Sequence, residues 1–103
     1  MKTCITCGMP LEGEHAGDVG LETPDGLVCI HDSIDGHIRD AKEIFKGGVK
    51  FFLHGGEDGA YDLAERITRR HMKSLPYWQA HPFELLDGEE ASDTEFAEAM
   101  IRF

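Results

Sequence analysis

The sequence predicts a small α+β protein that is mainly α-helical, with short N-terminal β-strands, an antiparallel helical hairpin and a short C-terminal helix. Three observations predict this fold. All three cysteines lie within the first 29 residues, among turn-forming residues without a helical period. Apolar residues then recur every three to four positions in two successive stretches. A capping-box sequence precedes a last short apolar stretch near the end of the chain.

Size and charge limit the possible functions. With 103 residues, 41% hydrophobic and 29% charged, the chain can build one core and has the composition of a folded domain. Acidic residues outnumber basic ones by 20 to 10, which gives a net charge of −10. Such a charge repels phosphate backbones and anionic membranes, so nucleic acid and membranes are unfavoured partners.

The cysteine count and the N-terminus favour a cytoplasmic protein. No uncharged apolar run is long enough to span a bilayer, and the N-terminus lacks the basic-then-apolar layout of a signal peptide. Three cysteines cannot all pair within one chain, and the cytosol disfavours disulfides. A metal site or a free thiol therefore explains the cysteines better than disulfides do.

The first predicted element after the cysteines is a helix over about residues 38 to 53, the first half of a helical hairpin spanning residues 37 to 78. Its apolar stripe is Ile34, Ile38, Ala41, Phe45, Val49 and Phe52. Gly47 and Gly48 fall inside this helix, where each costs roughly 1 kcal/mol relative to alanine. We therefore expect a neighbouring helix to pack closely against the glycines.

The second helix of the hairpin follows a short connection. His54, Gly55 and Gly56 should end the first helix, and Glu57 and Asp58 should cap the second. Its stripe is Ala60, Leu63, Ala64, Ile67, His71 and Leu75, and Pro76 stops it. Tyr77 and Trp78 follow Pro76, and we expect them to cover the open end of the hairpin.

Residues 79 to 103 form an acidic tail with a short terminal helix. Ser92, Asp93, Thr94 and Glu95 spell a capping box ahead of Phe96, which predicts a helix over about 93 to 102. Residues 1 to 36, which contain every cysteine, are predicted to form a separate small subdomain.

Cys4 and Cys7 are spaced as in a zinc knuckle, in which a tight turn presents two thiolates to one metal ion. Gly8 fits this interpretation, because the residue after the second cysteine often needs a positive φ. The alternatives are a chance pair or a redox dithiol, although Gly8 and Pro10 make a poor start for the helix that a thioredoxin-like dithiol requires. Cys29 is the natural third ligand.

The fourth ligand is predicted to be His31, because imidazole is the commoner zinc ligand and Cys3His is a standard closed set. Asp32 is the alternative, since it stands where a second C-x-x-C pair would have its last cysteine. His15 and His37 are weaker candidates. The sequence thus predicts a Zn²⁺ site at Cys4, Cys7, Cys29 and either His31 or Asp32.

The chain resembles a zinc-ribbon domain family of short bacterial and archaeal proteins. The family opens with C-x-x-C-G-M-P-L, matched here from Cys4 to Leu11, and its second helix ends in a motif like M-x-x-L/M-P-A-W, matched by Met72 to Trp78. The resemblance covers about residues 3 to 78 and implies a zinc ribbon joined to a helical hairpin. It implies no activity. Where the family has its fourth cysteine, this chain has Asp32. The resemblance therefore leaves three possibilities open: His31 as the fourth ligand, Asp32 as the fourth ligand, or weakened or absent metal binding.

Three classes of function follow. The first is a non-enzymatic module, stabilised by zinc, that binds another protein or itself, since no catalytic arrangement accompanies the cysteines. Its candidate contact surface is Tyr77, Trp78 and Phe83, although a cover over the hairpin is the commoner role of such residues. The second is a nucleic-acid-binding regulator that uses the basic patch Arg66, Arg69, Arg70, His71 and Lys73. Cations near the end of a helix more commonly complement its dipole without any ligand. The third is an enzyme or a metal or redox sensor that uses an incompletely closed, exchangeable site or the thiolates themselves.

Overall fold

A computed structural model describes residues 2 to 53 and 60 to 102. It shows the predicted α+β architecture, mainly helical, with two small antiparallel sheets. The strands are β1 (Val19–Thr23), β2 (Gly26–Cys29), β3 (Ser33–Ile34) and β4 (His37–Ile38). The helices are α1 (Ala41–Phe52), α2 (Ala60–Lys73), α3 (Pro76–Ala80) and α4 (Asp93–Arg102), and two 3₁₀ segments span Gly13–Asp18 and Glu84–Leu86.

The N-terminal part is built from two hairpins and the chain that precedes them. β1 pairs with β2, and β3 pairs with β4 across a turn in which Asp35 and Gly36 both have positive φ, 49° and 81°. Consecutive positive φ values are typical of the tight turns that match the twist of a hairpin. The first residues are fastened to β2, because the amide of Ile5 donates to the carbonyl of Leu27 at 2.9 Å. This places the first cysteine pair next to Cys29.

Helix α1 begins three residues later than predicted. Ile38, the first residue of the predicted helix, lies in β4 (His37–Ile38) instead. Asp40 then caps the helix, since its carboxylate accepts a hydrogen bond from the amide of Lys42 at 2.8 Å. The predicted helix stop at His54, Gly55 and Gly56, and the predicted caps Glu57 and Asp58, lie outside the described residues.

The hairpin of α1 and α2 holds the main core. Its fully buried members are Ile44, Phe45, Val49, Ala64, Met72, Trp78 and Leu86. Gly48 lies against α2, because a Cβ at this position would be 2.8 Å from Thr68 Cγ2. Among the described residues, Gly47 has no such neighbour within 4 Å. The expected close helix crossing is therefore confirmed at Gly48, whereas no described residue packs against Gly47.

The tail packs along α2. Helix α4 has the bounds that the capping box predicts, and Ser92 and Glu95 cap it reciprocally: the amide of Glu95 donates to Ser92 Oγ and the amide of Ser92 donates to Glu95 Oε1. A small core of Ile67, Ala91 and Ala99 joins the two helices. The division of the chain at residues 36 and 78 stays a prediction.

Among residues 2 to 53 and 60 to 102, no helix is both long enough and apolar enough to cross a membrane.

Candidate metal centre

The first turn of the site is the Cys4–Cys7 knuckle. The amide of Gly8 donates to the carbonyl of Cys4, and the amide of Cys4 donates to the carbonyl of Met9, both at 2.8 Å. Gly8 has a φ of 78°, and a Cβ added there would lie 3.1 Å from His71 Nε2. Both the backbone conformation and the close histidine explain why glycine follows the second cysteine.

The second turn runs from Cys29 to Asp32 and presents these two residues in the same way. The amide of Asp32 donates to the carbonyl of Cys29 at 3.2 Å, and Ser33 Oγ donates to the same carbonyl at 2.9 Å. A further hydrogen bond at 2.9 Å, from the amide of Arg39 to the carbonyl of Asp32, fastens the turn to the end of the β3–β4 hairpin. The site therefore consists of two facing turns with two side chains from each.

The two turns bring Cys4, Cys7, Cys29 and Asp32 together. One donor atom from each lies within 4.8 Å of every other, a grouping that could hold a metal ion. Cys7 Sγ and Cys29 Sγ are 3.7 Å apart, and so are Cys4 Sγ and Asp32 Oδ2. Cys4 and Cys29 are fully buried, whereas Cys7 is half-buried. Solvent therefore reaches the group from the side of Cys7.

Thr6 lies inside the first knuckle and contacts two members of the group. Its hydroxyl donates to Asp32 Oδ2 at 2.7 Å and lies 3.0 Å from Cys4 Sγ. The backbone amide of Cys29 also donates to Cys4 Sγ, at 3.3 Å. Because Thr6 and Cys4 are fully buried, these hydrogen bonds fix the orientation of the carboxylate and of one thiol.

The thiols strongly influence one another's protonation in the metal-free site. Hydrogen bonds from Cys29 and Cys7 hold the pKa of Cys4 far below its usual range. The hydrogen bond to Cys4 raises the pKa of Cys29 to about 11, and that to Cys29 raises the pKa of Cys7 further. Burial raises the pKa of Asp32. The raised pKa values keep protons on Cys7 and Cys29, and a bound metal would displace these protons.

The histidines named by the sequence lie elsewhere. His31 is exposed on the turn between β2 and β3, outside the four-residue group. His15 lies in the 3₁₀ segment Gly13–Asp18, where Nδ1 is 2.9 Å from Asp18 Oδ2. His37 is exposed in β4, and its Nδ1 lies 3.1 Å from the carbonyl of Ile38. The structure thus brings the alternative candidate, Asp32, to the cysteines.

The basic patch of α2 is occupied by other parts of the same chain. Arg66 contacts Asp62 and Glu95, and Arg70 contacts Asp93 and the carbonyl of Ala91. Arg69 donates to the carbonyls of Leu85 and Glu89, and Lys73 pairs with Glu90. Most of these partners belong to the acidic tail, so the tail covers the side chains that suggested nucleic-acid binding.

The aromatic residues proposed as a contact surface belong largely to the core. Trp78 is 3% exposed, and Tyr77 and Phe83 are half-buried against the main core. The Tyr77 and Trp78 rings meet edge to face at a centroid distance of 4.9 Å. Of the two interpretations of these aromatics, the structure supports the cover over the hairpin.

Three residues around the site were not predicted from the sequence. Thr6 contacts two members of the group, and its carbonyl accepts a hydrogen bond from Trp78 Nε1 at 2.9 Å. His71 Nε2 donates to the carbonyl of Cys7 at 2.7 Å. The sequence predicts Trp78 as a cover or contact residue and His71 as part of the helix stripe and the basic patch, but it predicts a contact with the knuckle for neither. No local spacing identifies such contacts, because each joins positions far apart in the chain.

Comparisons with protein-family models, with curated proteins and with solved structures find no match for this chain.

Proposed function

We propose that this protein binds Zn²⁺ through Cys4, Cys7, Cys29 and Asp32. The main support for this proposal is the spacing of the donor atoms. A tetrahedral site with zinc–sulfur bonds of about 2.3 Å has sulfur–sulfur edges of about 3.8 Å. The Cys7–Cys29 separation of 3.7 Å agrees with such an edge. A zinc–oxygen bond of about 2.1 Å gives a sulfur–oxygen edge of about 3.6 Å, close to the Cys4–Asp32 separation of 3.7 Å. Three thiolates and one carboxylate also suit zinc better than the harder Mg²⁺ or Ca²⁺.

The proposed role of the metal is structural. Protein side chains supply all four positions of a tetrahedron, which is the closed arrangement typical of structural zinc. The first turn lies in the chain that precedes β1 and the second connects β2 to β3, so one ion would cross-link two separate segments. Their contacts with His71 and Trp78 then extend this cross-link to the helical hairpin. A closed site of this kind favours a non-enzymatic protein.

The proposed activity is that of a module that binds another protein or associates with itself. Large apolar side chains that remain exposed offer area for such a contact: Ile30, Ile34, Phe51, Tyr61, Met100 and Ile101. The engagement of Arg66, Arg69, Arg70 and Lys73 by the tail favours a protein partner over nucleic acid. Cellular location, which the sequence predicts to be cytoplasmic, stays a prediction.

A metal or redox sensor is a second candidate, favoured by the half-buried position of Cys7. An oxidant or a competing chelator would reach this ligand first. The two roles differ in zinc affinity, because a sensor needs readily reversible binding whereas a structural ion should unfold the N-terminal part on removal. Zinc affinity and circular dichroism after chelation therefore separate them.

Metal analysis of purified protein tests the zinc proposal. We expect one zinc per wild-type chain, retention in His31→Ala and loss in Asp32→Ala. Asp32→Cys is the matched gain-of-ligand variant, since it completes a second C-x-x-C pair and should bind zinc more tightly. Loss in His31→Ala alone would assign the fourth position to His31. A wild-type chain that carries no zinc and takes up none on reconstitution would overturn the proposal.

Light scattering after size exclusion tests self-association. The informative variant is Ile101→Glu, at a position that is 86% exposed in α4, and Ala97→Glu adds the same charge at another exposed position of that helix. A shift to smaller mass in Ile101→Glu alone would place a self-contact there. A monomeric wild-type chain that also retains no protein in pull-downs would contradict the module proposal.

A further inference from the structure

Thr6 occupies an unusual place among the residues around the proposed metal site. It lies between the two knuckle cysteines, is fully buried, and touches both the carboxylate and one thiol of the four-residue group. Four-ligand zinc binding does not itself require a hydroxyl at this position. A hydroxyl buried beside a carboxylate and a cysteine sulfur therefore needs an explanation.

The geometry of the hydroxyl indicates what it does. Thr6 Oγ1 has one proton, and it is 2.7 Å from Asp32 Oδ2, a short distance typical of a hydrogen bond to a charged acceptor. The same carboxylate oxygen lies 3.7 Å from Cys4 Sγ. The hydrogen bond thus restrains the rotation of the Asp32 carboxylate at the edge where it meets the sulfurs.

Asp32 needs such a restraint more than a cysteine would. A carboxylate has two equivalent oxygens and a soft terminal torsion, so it can present either oxygen or both to a metal. It is also buried, and burial disfavours its charged form. A hydrogen bond donated to one oxygen offsets part of that cost and fixes which way the group faces.

We propose that Thr6 is a positioning residue that orients Asp32 for metal binding and thereby allows a carboxylate to stand where the second turn would otherwise need a thiolate. This inference rests on the proposed zinc site. It specifies how a Cys3Asp set is held in the tetrahedral geometry that zinc prefers. Thr6 touches no metal itself and acts through Asp32.

The test compares Zn²⁺ affinity, measured by competition with a chromophoric chelator, in single and double variants. Thr6→Val removes the hydroxyl while keeping the shape, and we expect it to weaken binding about tenfold to a hundredfold. Thr6→Ser keeps the hydroxyl and should bind within about threefold of wild type. Thr6→Ala removes the hydroxyl together with the γ-methyl group. It replaces Thr6→Val in the comparison if Thr6→Val does not fold.

The decisive comparison is made in an Asp32→Cys background, where the site keeps four ligands but no carboxylate. There Thr6→Val should change affinity by less than about threefold, because the acceptor it serves is gone. An equal loss in both backgrounds, or an equal loss in Thr6→Ser, would overturn the positioning role and assign the effect to packing.

Co²⁺ substitution supplies a spectroscopic readout. The wild-type chain should give the intense visible bands of tetrahedral cobalt, and Thr6→Val should weaken or shift them as the carboxylate turns. Unchanged bands with unchanged affinity would overturn the inference while leaving the zinc site intact. Failure of the wild-type chain to bind either ion would overturn the zinc proposal and this inference together.

Discussion

The indole of Trp78 donates a hydrogen bond to the backbone carbonyl of Thr6 at 2.9 Å, across 72 positions of the chain. Thr6 is therefore used twice: its side chain contacts Asp32 and Cys4, while its carbonyl contacts the helical core. His71 makes the parallel contact with the carbonyl of Cys7. Hydrogen bonds to two consecutive carbonyls, those of Thr6 and Cys7, thus join the metal-site knuckle to the helical part of the protein.

Replacing Trp78 should destabilise the fold. In Trp78→Phe the Thr6 carbonyl loses its donor in a buried place, which costs about 1–3 kcal/mol, and the smaller ring adds a packing loss. Tyr77→Phe is the control, because it keeps an aromatic ring in contact with Trp78. It should change the free energy of unfolding by less than about 0.5 kcal/mol. Urea denaturation followed by circular dichroism measures both. Equal stabilities would show that the Trp78 hydrogen bond contributes little.

Metal removal should change the fluorescence of Trp78, which is the only tryptophan of the chain. If zinc holds the knuckle, chelation should loosen Thr6 and expose the indole, so that the emission shifts to longer wavelength. Asp32→Ala should already emit at the longer wavelength and respond little to the chelator. An emission spectrum that is identical with and without metal would contradict the coupling of the knuckle to the hairpin.

The two glycines of α1 should respond in opposite ways to alanine. Gly47→Ala places a methyl group in open space and removes the helix penalty of glycine, so it should stabilise the protein by about 1 kcal/mol. Gly48→Ala would bring Cβ within 2.8 Å of Thr68 Cγ2 and should destabilise it by about 1–3 kcal/mol. Thermal unfolding of the two variants checks this. Equal shifts would show that the helices do not cross closely at Gly48.

How far the sequence predicts the structure differs between its parts. The apolar period and the capping box predict α1 and α4, because both depend on neighbours within a few residues. The choice between His31 and Asp32 rested on how common each ligand is. In the structure the turn geometry decides which side chain faces inward: positions 29 and 32 point to the same side, while His31 points to solvent.

Contacts between distant segments escape sequence analysis altogether. The basic residues of α2 suggested a dipole complement or a nucleic-acid surface, yet the acidic tail binds most of them. Opposite charges in two segments do not reveal which pairs meet, since many pairings satisfy the same composition. The Trp78–Thr6 contact is unpredictable for the same reason.

The attachment of the tail should depend on the shape of Arg69 as well as its charge. Its guanidinium donates to the carbonyls of Leu85 and Glu89 and lies 5.6 Å from the Phe45 ring centroid. Lysine cannot make this planar set of contacts, so Arg69→Lys should cost about 1–3 kcal/mol. Lys73→Met, which removes a half-exposed ion pair, should cost less than about 1 kcal/mol. Urea denaturation distinguishes them, and equal losses would show that charge alone holds the tail.

Zinc binding should release at least two protons at neutral pH. Hydrogen bonds among the thiols raise the pKa values of Cys7 and Cys29, that of Cys29 to about 11, so both residues keep their protons when no metal is bound. A metal binds thiolates, so one proton should leave each of Cys7 and Cys29.

Zinc affinity should therefore rise with pH through the neutral range. In mildly acidic buffer Asp32, whose pKa is raised by burial, should add a further proton, and the pH dependence should steepen. Titration calorimetry in buffers of different ionisation enthalpy counts the protons. Asp32→Cys is the control, since it has no carboxyl group to give the acid-range steepening. Release of fewer than two protons at neutral pH would contradict the raised pKa values of Cys7 and Cys29.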